Sequence, residues 1–134
     1  MGARRDSRET AFKIIFESII RGPETFEDLS STISRQLDDE QSRQFALTLV
    51  EGWREHESEL MESITPHLQN WDIKRLSLVD KILLTLGIFE IRFLEDIPPV
   101  ITIDESIELA KVYGGADSPS FLNGVLDSYY NSIK

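Results

Sequence analysis

Residues 79–91 read VDKILLTLGIFEI, and residues 95–127 read EDIPPVITIDESIELAKVYGGADSPSFLNGVLD. The first stretch is apolar almost all round, which predicts a helix from about Leu78 to Leu94 in the centre of the fold. Asp80, Lys81, Glu90 and Arg92 lie inside it and make a membrane span the wrong reading. Pro98-Pro99 breaks the chain. Thr102 and Glu105 form a T-x-x-E capping box for the next helix, with Ile103, Ile107 and Ala110 on its inner face. Gly114-Gly115 ends that helix. Ser118-Pro119 then offers an N-cap followed by proline at the first helical position. The last helix buries Leu122, Val125, Leu126 and Tyr129.

Upstream, the same spacings of three and four recur, and no segment shows sustained strand alternation. A first helix over about Arg5 to Ile20 carries Phe12, Ile15, Phe16 and Ile19 on one face and stops at Gly22-Pro23. Thr25 offers the N-cap of a second helix, whose stripe is Phe26, Leu29, Ile33 and Leu37. Asp38 or Asp39 caps a longer third helix with the stripe Phe45, Leu49, Trp53, Leu60, Met61 and Ile64. Pro66 ends or kinks it. Trp71 to Leu76 reads as a short helical turn. The expectation is an all-α, single-domain bundle of about seven helices, with residues 1–134 forming one domain.

Net charge is -10, from 14 basic and 24 acidic residues. It is unevenly spread. Residues 1–22 hold five basic against three acidic groups, and residues 23–72 hold three against twelve. A field this negative repels phosphate, so any nucleic-acid site has to be local, and the N-terminal segment is the net-positive one. Cysteine is absent, which removes disulfides and thiolate chemistry and suits a reducing cytoplasm. The N-terminal arginines precede no apolar run of the kind a secretory signal needs.

No catalytic constellation emerges. His56 and His67 stand eleven positions apart, outside any H-E-x-x-H spacing, and no thiolate is available to complete a zinc site. Asp38, Asp39 and Glu40 sit at a helix start, where acids favour the positive end of the dipole. Asp104 and Glu105 read the same way. Gly114-Gly115 follows a helix and lacks the lysine of a phosphate-cradling loop. Glu90, between Phe89 and Ile91, reads as a buried carboxylate held by backbone donors or a basic partner. The expectation is a protein that is not an enzyme and needs no metal or cofactor.

Three segments, taken in order, resemble the NusB transcription antitermination factors. They are ARRDSRETAFKIIF at residues 3–16, HLQNWDIKRLSLVDK at residues 67–81, and IDESIELAKVYG followed by FLNGVLD at residues 103–114 and 121–127. The resemblance covers most of the chain and implies an all-helical RNA-binding role without catalysis. Members of that family pair with NusE, a small-subunit ribosomal protein. The pair holds single-stranded boxA RNA within the RNA polymerase antitermination complex and supports ribosomal RNA synthesis. By the resemblance, the RNA contacts are Arg4, Arg5 and Arg8, Lys111, and the loop residues Asp117, Ser118 and Phe121. That loop precedes a helix whose free backbone donors suit a phosphate. Asp80 and Lys81 are the candidates for the protein partner.

Four positions depart from the family pattern. Asp6 and Ser120 stand where basic residues are common, Thr85 where arginine is usual, and Gly87 where alanine is usual. The loss of cations predicts weak, salt-sensitive RNA binding by the protein alone. The acidic middle supports an alternative, a NusB-fold interaction module for a basic partner that no longer reads RNA. A homodimer that covers the arginines is compatible with either reading. Ribosomal RNA cytosine methyltransferases also carry a NusB-like domain, but this chain has no room for their catalytic domain and no catalytic cysteine.

Overall fold

Proline and glycine set most of the helix boundaries. The computed structural model describes residues 2–69 and 76–134, with side chains from Arg4 onward. Within those residues there are six α-helices: α1 Gly2–Arg21, α2 Leu29–Gln36, α3 Glu40–Ile64, α4 Leu78–Phe93, α5 Pro99–Tyr113 and α6 Ser118–Ile133. Two 3-10 turns, Pro23–Phe26 and Thr65–His67, follow α1 and α3. The fold is all-helical, as the periodicity predicts. The turn expected over Trp71 to Leu76 lies, but for Leu76, outside the described residues.

The chain divides into two compact units, Met1–Glu55 and His56–Lys134. In the first, Ala11, Phe12, Ile14 and Ile15 of α1 are buried, as are Leu29 and Ile33 of α2 and Leu49, Val50 and Trp53 of α3. Ile19, expected on the inner face, is 44% exposed. Asp39 caps α3, as the sequence suggests: its Oδ2 accepts the Ser42 N–H at 3.0 Å and its Oδ1 accepts the Ser42 hydroxyl at 2.6 Å. Thr25 does not cap α2. It lies in the 3-10 turn, where its hydroxyl donates to the Gly22 carbonyl at 3.0 Å, and α2 begins after Asp28.

In the second unit α4, α5 and α6 pack against one another. Every residue from Ile82 to Ile91 is buried, so α4 is the core helix that its all-round apolarity predicts. Gly87 lets α4 lie close to α6: an added Cβ there would lie 3.0 Å from Leu126 Cδ2.

The capping box expected at Thr102 and Glu105 is absent because α5 starts earlier, at Pro99 after Pro98. Proline suits the first helical turn, where its missing N–H would have no intrahelical partner. Thr102 is therefore interior and fully buried, and its hydroxyl donates to Glu90 Oε1 at 3.0 Å. A hydroxyl on α5 is thus one partner of the buried carboxylate, where a backbone donor or a base was expected.

Candidate functional site

The N-terminal arginines differ in exposure. Arg4 and Arg5 are exposed, whereas Arg8 is 5% exposed. The Arg4 and Arg8 guanidinium carbons lie 4.8 Å and 5.3 Å from the centroid of the Phe45 ring. Ser7, between them in sequence, donates its hydroxyl to the Ser42 carbonyl at 2.8 Å, a buried bond from α1 to the first turn of α3. Phe45 is half-buried, and the stripe reading that places it wholly in the core misses its second role beneath the arginines. Asp6 is exposed, so its departure from the basic family pattern falls on the surface.

The second unit holds a separate cavity of about 300 Å³, whose lining includes Leu76, Asp80, Asp117, Ser118 and Phe121. It brings together the loop residues read as RNA contacts and Asp80, read as a partner contact. Asp117 is exposed, Phe121 is half-buried and Ser118 is buried. Ser118 Oγ accepts the Gly115 N–H at 3.0 Å, and the Ser118 N–H donates to the Gly115 carbonyl at 3.1 Å. Pro119 has no N–H to give. The free donors expected at this helix start are therefore partly engaged within the loop. Ser118 is the first residue of α6 and closes the turn, while Asp117 takes the cap position without a side-chain capping bond.

Asp80 Oδ1 is buried without a hydrogen-bond partner among the described residues. The Asp80 backbone N–H is held by the Ser77 hydroxyl at 3.1 Å, an N-cap that the sequence reading does not single out. Lys81 is half-buried. Lys111 is exposed and paired with Glu108 at 2.8 Å. Thr85 is fully buried, with its hydroxyl on the Lys81 and Ile82 carbonyls at 2.7 Å and 3.0 Å. Its departure from the family arginine, like that of Gly87, is thus a matter of the core, not of an RNA-facing surface.

Neither histidine lines that cavity. His56 stacks on Phe93 at 4.3 Å, with its Nδ1 3.1 Å from Glu59 Oε1. The hydrogen bond from His56, with Arg92 adding to it, holds the Glu59 carboxyl below its ordinary range. His67 Nδ1 lies 2.8 Å from Ser128 Oγ. Burial pushes the Tyr129 phenol upward. Among the described residues no group of three or more His, Asp or Glu side chains is placed to hold a metal ion. No helix there is long and apolar enough to cross a membrane.

A model of the NusB family matches residues 5–131. The chain belongs to the NusB family. The transcription antitermination protein NusB of Myxococcus xanthus is 38% identical over 131 residues, 95% of this chain and 94% of the relative. NusB of T. maritima superposes with a TM-score of 0.82 at 37% identity, over 96% of this chain and 90% of that one. A NusB solved with NusE and double-stranded RNA superposes with a TM-score of 0.86 at 28% identity, over 99% of both chains.

Proposed function

We propose that this chain is a transcription antitermination factor that binds RNA together with a NusE-type ribosomal protein and supports ribosomal RNA transcription. The observation that carries this is full-length kinship to NusB proteins, one of them solved with both NusE and RNA. The family match spans both compact units, in keeping with their serving as one RNA-binding domain. The action is binding, not catalysis, and its place is the cytoplasm, where nascent RNA and RNA polymerase meet.

The two surfaces suit different ligands. Arg4 and Arg5 offer exposed cations to the RNA, and the buried Arg8 lies with Arg4 over the Phe45 ring. Lys111 is a further exposed cation. The lining of the cavity in the second unit includes Asp80, Asp117 and Phe121. Two carboxylates repel phosphate and suit the cationic side chains of a basic ribosomal protein, so we assign Asp117, Ser118 and Phe121, which the resemblance gives to RNA, to the partner surface with Asp80. Ser118 fixes the loop that carries Asp117.

The test is titration of labelled boxA-type RNA with the protein, with and without NusE, at two salt concentrations. Salt-sensitive binding that tightens with NusE is expected. A folded sample that binds NusE but no RNA would favour the interaction-module alternative, which the acidic cavity also suits.

A further inference from the structure

Arg4 of α1 and the opening turns of α3 line an open cleft of about 440 Å³, with Glu40, Gln41, Gln44, Phe45 and Thr48 in its wall. Arg4, Ser7 and Arg8 follow the i, i+3, i+4 spacing of one helix face, and Gln41, Phe45 and Thr48 the i, i+4, i+7 spacing of another. The Ser7 hydroxyl on the Ser42 carbonyl and the Asp39 cap on Ser42 fasten both walls to one residue. The cavity is thus set before any ligand arrives, which lowers the ordering cost of binding.

Its lining is poorly suited to phosphate. Glu40 contributes a carboxylate, and Arg4 is the one cation among the described residues of the lining. What it offers is the Arg4 guanidinium over the Phe45 ring, 4.8 Å from its centroid, rimmed by two exposed side-chain amides. Splayed RNA bases stack on aromatic rings and guanidinium planes and are read along their edges. An amide presents both donors and an acceptor, whereas a carboxylate only accepts. The two amides can turn either way, so the Glu40 carboxylate, which only accepts, is what favours a base that carries an exocyclic amine. The cavity volume falls in the range of small-ligand pockets.

We infer that this cleft is a pocket for one unpaired, amino-bearing base of the bound RNA, stacked on Arg4 and Phe45 and read by Glu40, Gln41 and Gln44. The inference rests on the RNA-binding function proposed above. Arg5, exposed on the next position of α1, is left to hold a neighbouring phosphate.

The experiment uses short labelled single-stranded RNAs with each position in turn made abasic or changed to uridine. Each is titrated with NusE present into the wild type and into the double variant Gln41→Ala, Gln44→Ala. Both glutamines are exposed, and alanine is a better helix former, so the variant folds. In the wild type one position should lose about tenfold affinity or more when abasic, as expected for a stacked base. Uridine there should also bind less well than an amino-bearing base. The double variant should lose that base preference with its salt dependence unchanged, since no phosphate contact is removed. A wild type that binds RNA with no such position, or a double variant that keeps the preference, overturns the pocket alone. A wild type that binds no RNA overturns the antitermination reading and the pocket with it.

Discussion

The Thr102 hydroxyl on α5 donates to the Glu90 carboxylate on α4 at 3.0 Å, and Thr102 and Glu90 are 0% and 2% exposed. Each therefore depends on protein partners. Thr102→Val keeps the shape and removes this donor from a buried acceptor. The loss should be about 1–3 kcal/mol, the usual range for stranding a buried polar group. Chemical denaturation at neutral pH checks it, and a variant as stable as the parent would show that Glu90's other surroundings suffice.

The three N-terminal arginines should separate by experiment. Arg5→Ala changes an exposed side chain and should leave stability within about 0.5 kcal/mol. It should also weaken RNA binding and lower the salt slope by roughly one unit. Arg8→Ala removes a buried guanidinium from above Phe45 and should cost about 2 kcal/mol or more, the scale of a desolvated cation–π contact. Thermal unfolding beside RNA titration resolves the two. Arg8→Ala melting like the wild type while losing a unit of salt slope would mean that Arg8 touches phosphate directly.

Where burial followed from a single helix's own pattern, the sequence was readable. The all-round apolar α4 and the Leu122, Val125, Leu126 and Tyr129 face of α6 lie where periodicity puts them. The start of α5 was misread because T-x-x-E carries the same letters whether it caps a helix or lies inside one. Pro98-Pro99 both breaks the chain and opens α5, since proline suits a first helical turn. Candidate site residues were visible as types but not as groupings. No spacing rule reports that Arg8 turns inward while Arg5 stays out, or that Asp80 and Asp117 share a cavity 37 positions apart in sequence. Phe45 and the two glutamines were missed because a stripe residue at a helix start carries no mark of the ring above which an arginine settles.

The α3 cap should give a pH signature. The Ser42 hydroxyl first, and its backbone N–H second, hold the Asp39 carboxyl below its ordinary value of 3.8. A lowered folded value means that the contribution is complete above the unfolded value and fades as pH falls through the folded one. Asp39→Ala should therefore melt earlier than the wild type at neutral pH. The gap should narrow as pH falls below 3.8. Asp39→Asn keeps a capping oxygen and should lie between them at neutral pH. Melting curves across that range are the check, and a gap that stays constant with pH would remove the ionised carboxylate from the account.

Gly114 is the position on which the loop of the second cavity turns. A Cβ there would lie 2.6 Å from Ser118 Cβ and 2.9 Å from the Ala110 carbonyl oxygen. The second of these is helix backbone and already accepts the Gly114 N–H at 2.9 Å, so it has little room to move. Gly114→Ala should push the loop outward, break the bond from the Gly115 N–H to Ser118 Oγ, and cost about 1–3 kcal/mol as overpacking does. Asp117 would move with the loop, so NusE binding should weaken. Gly115→Ala is the matched control, because a Cβ there meets nothing within 4 Å. It should leave both stability and partner binding close to the parent. Equal losses from the two substitutions, measured by thermal unfolding and NusE titration, would mean that loop flexibility and not the Ser118 contact governs this surface.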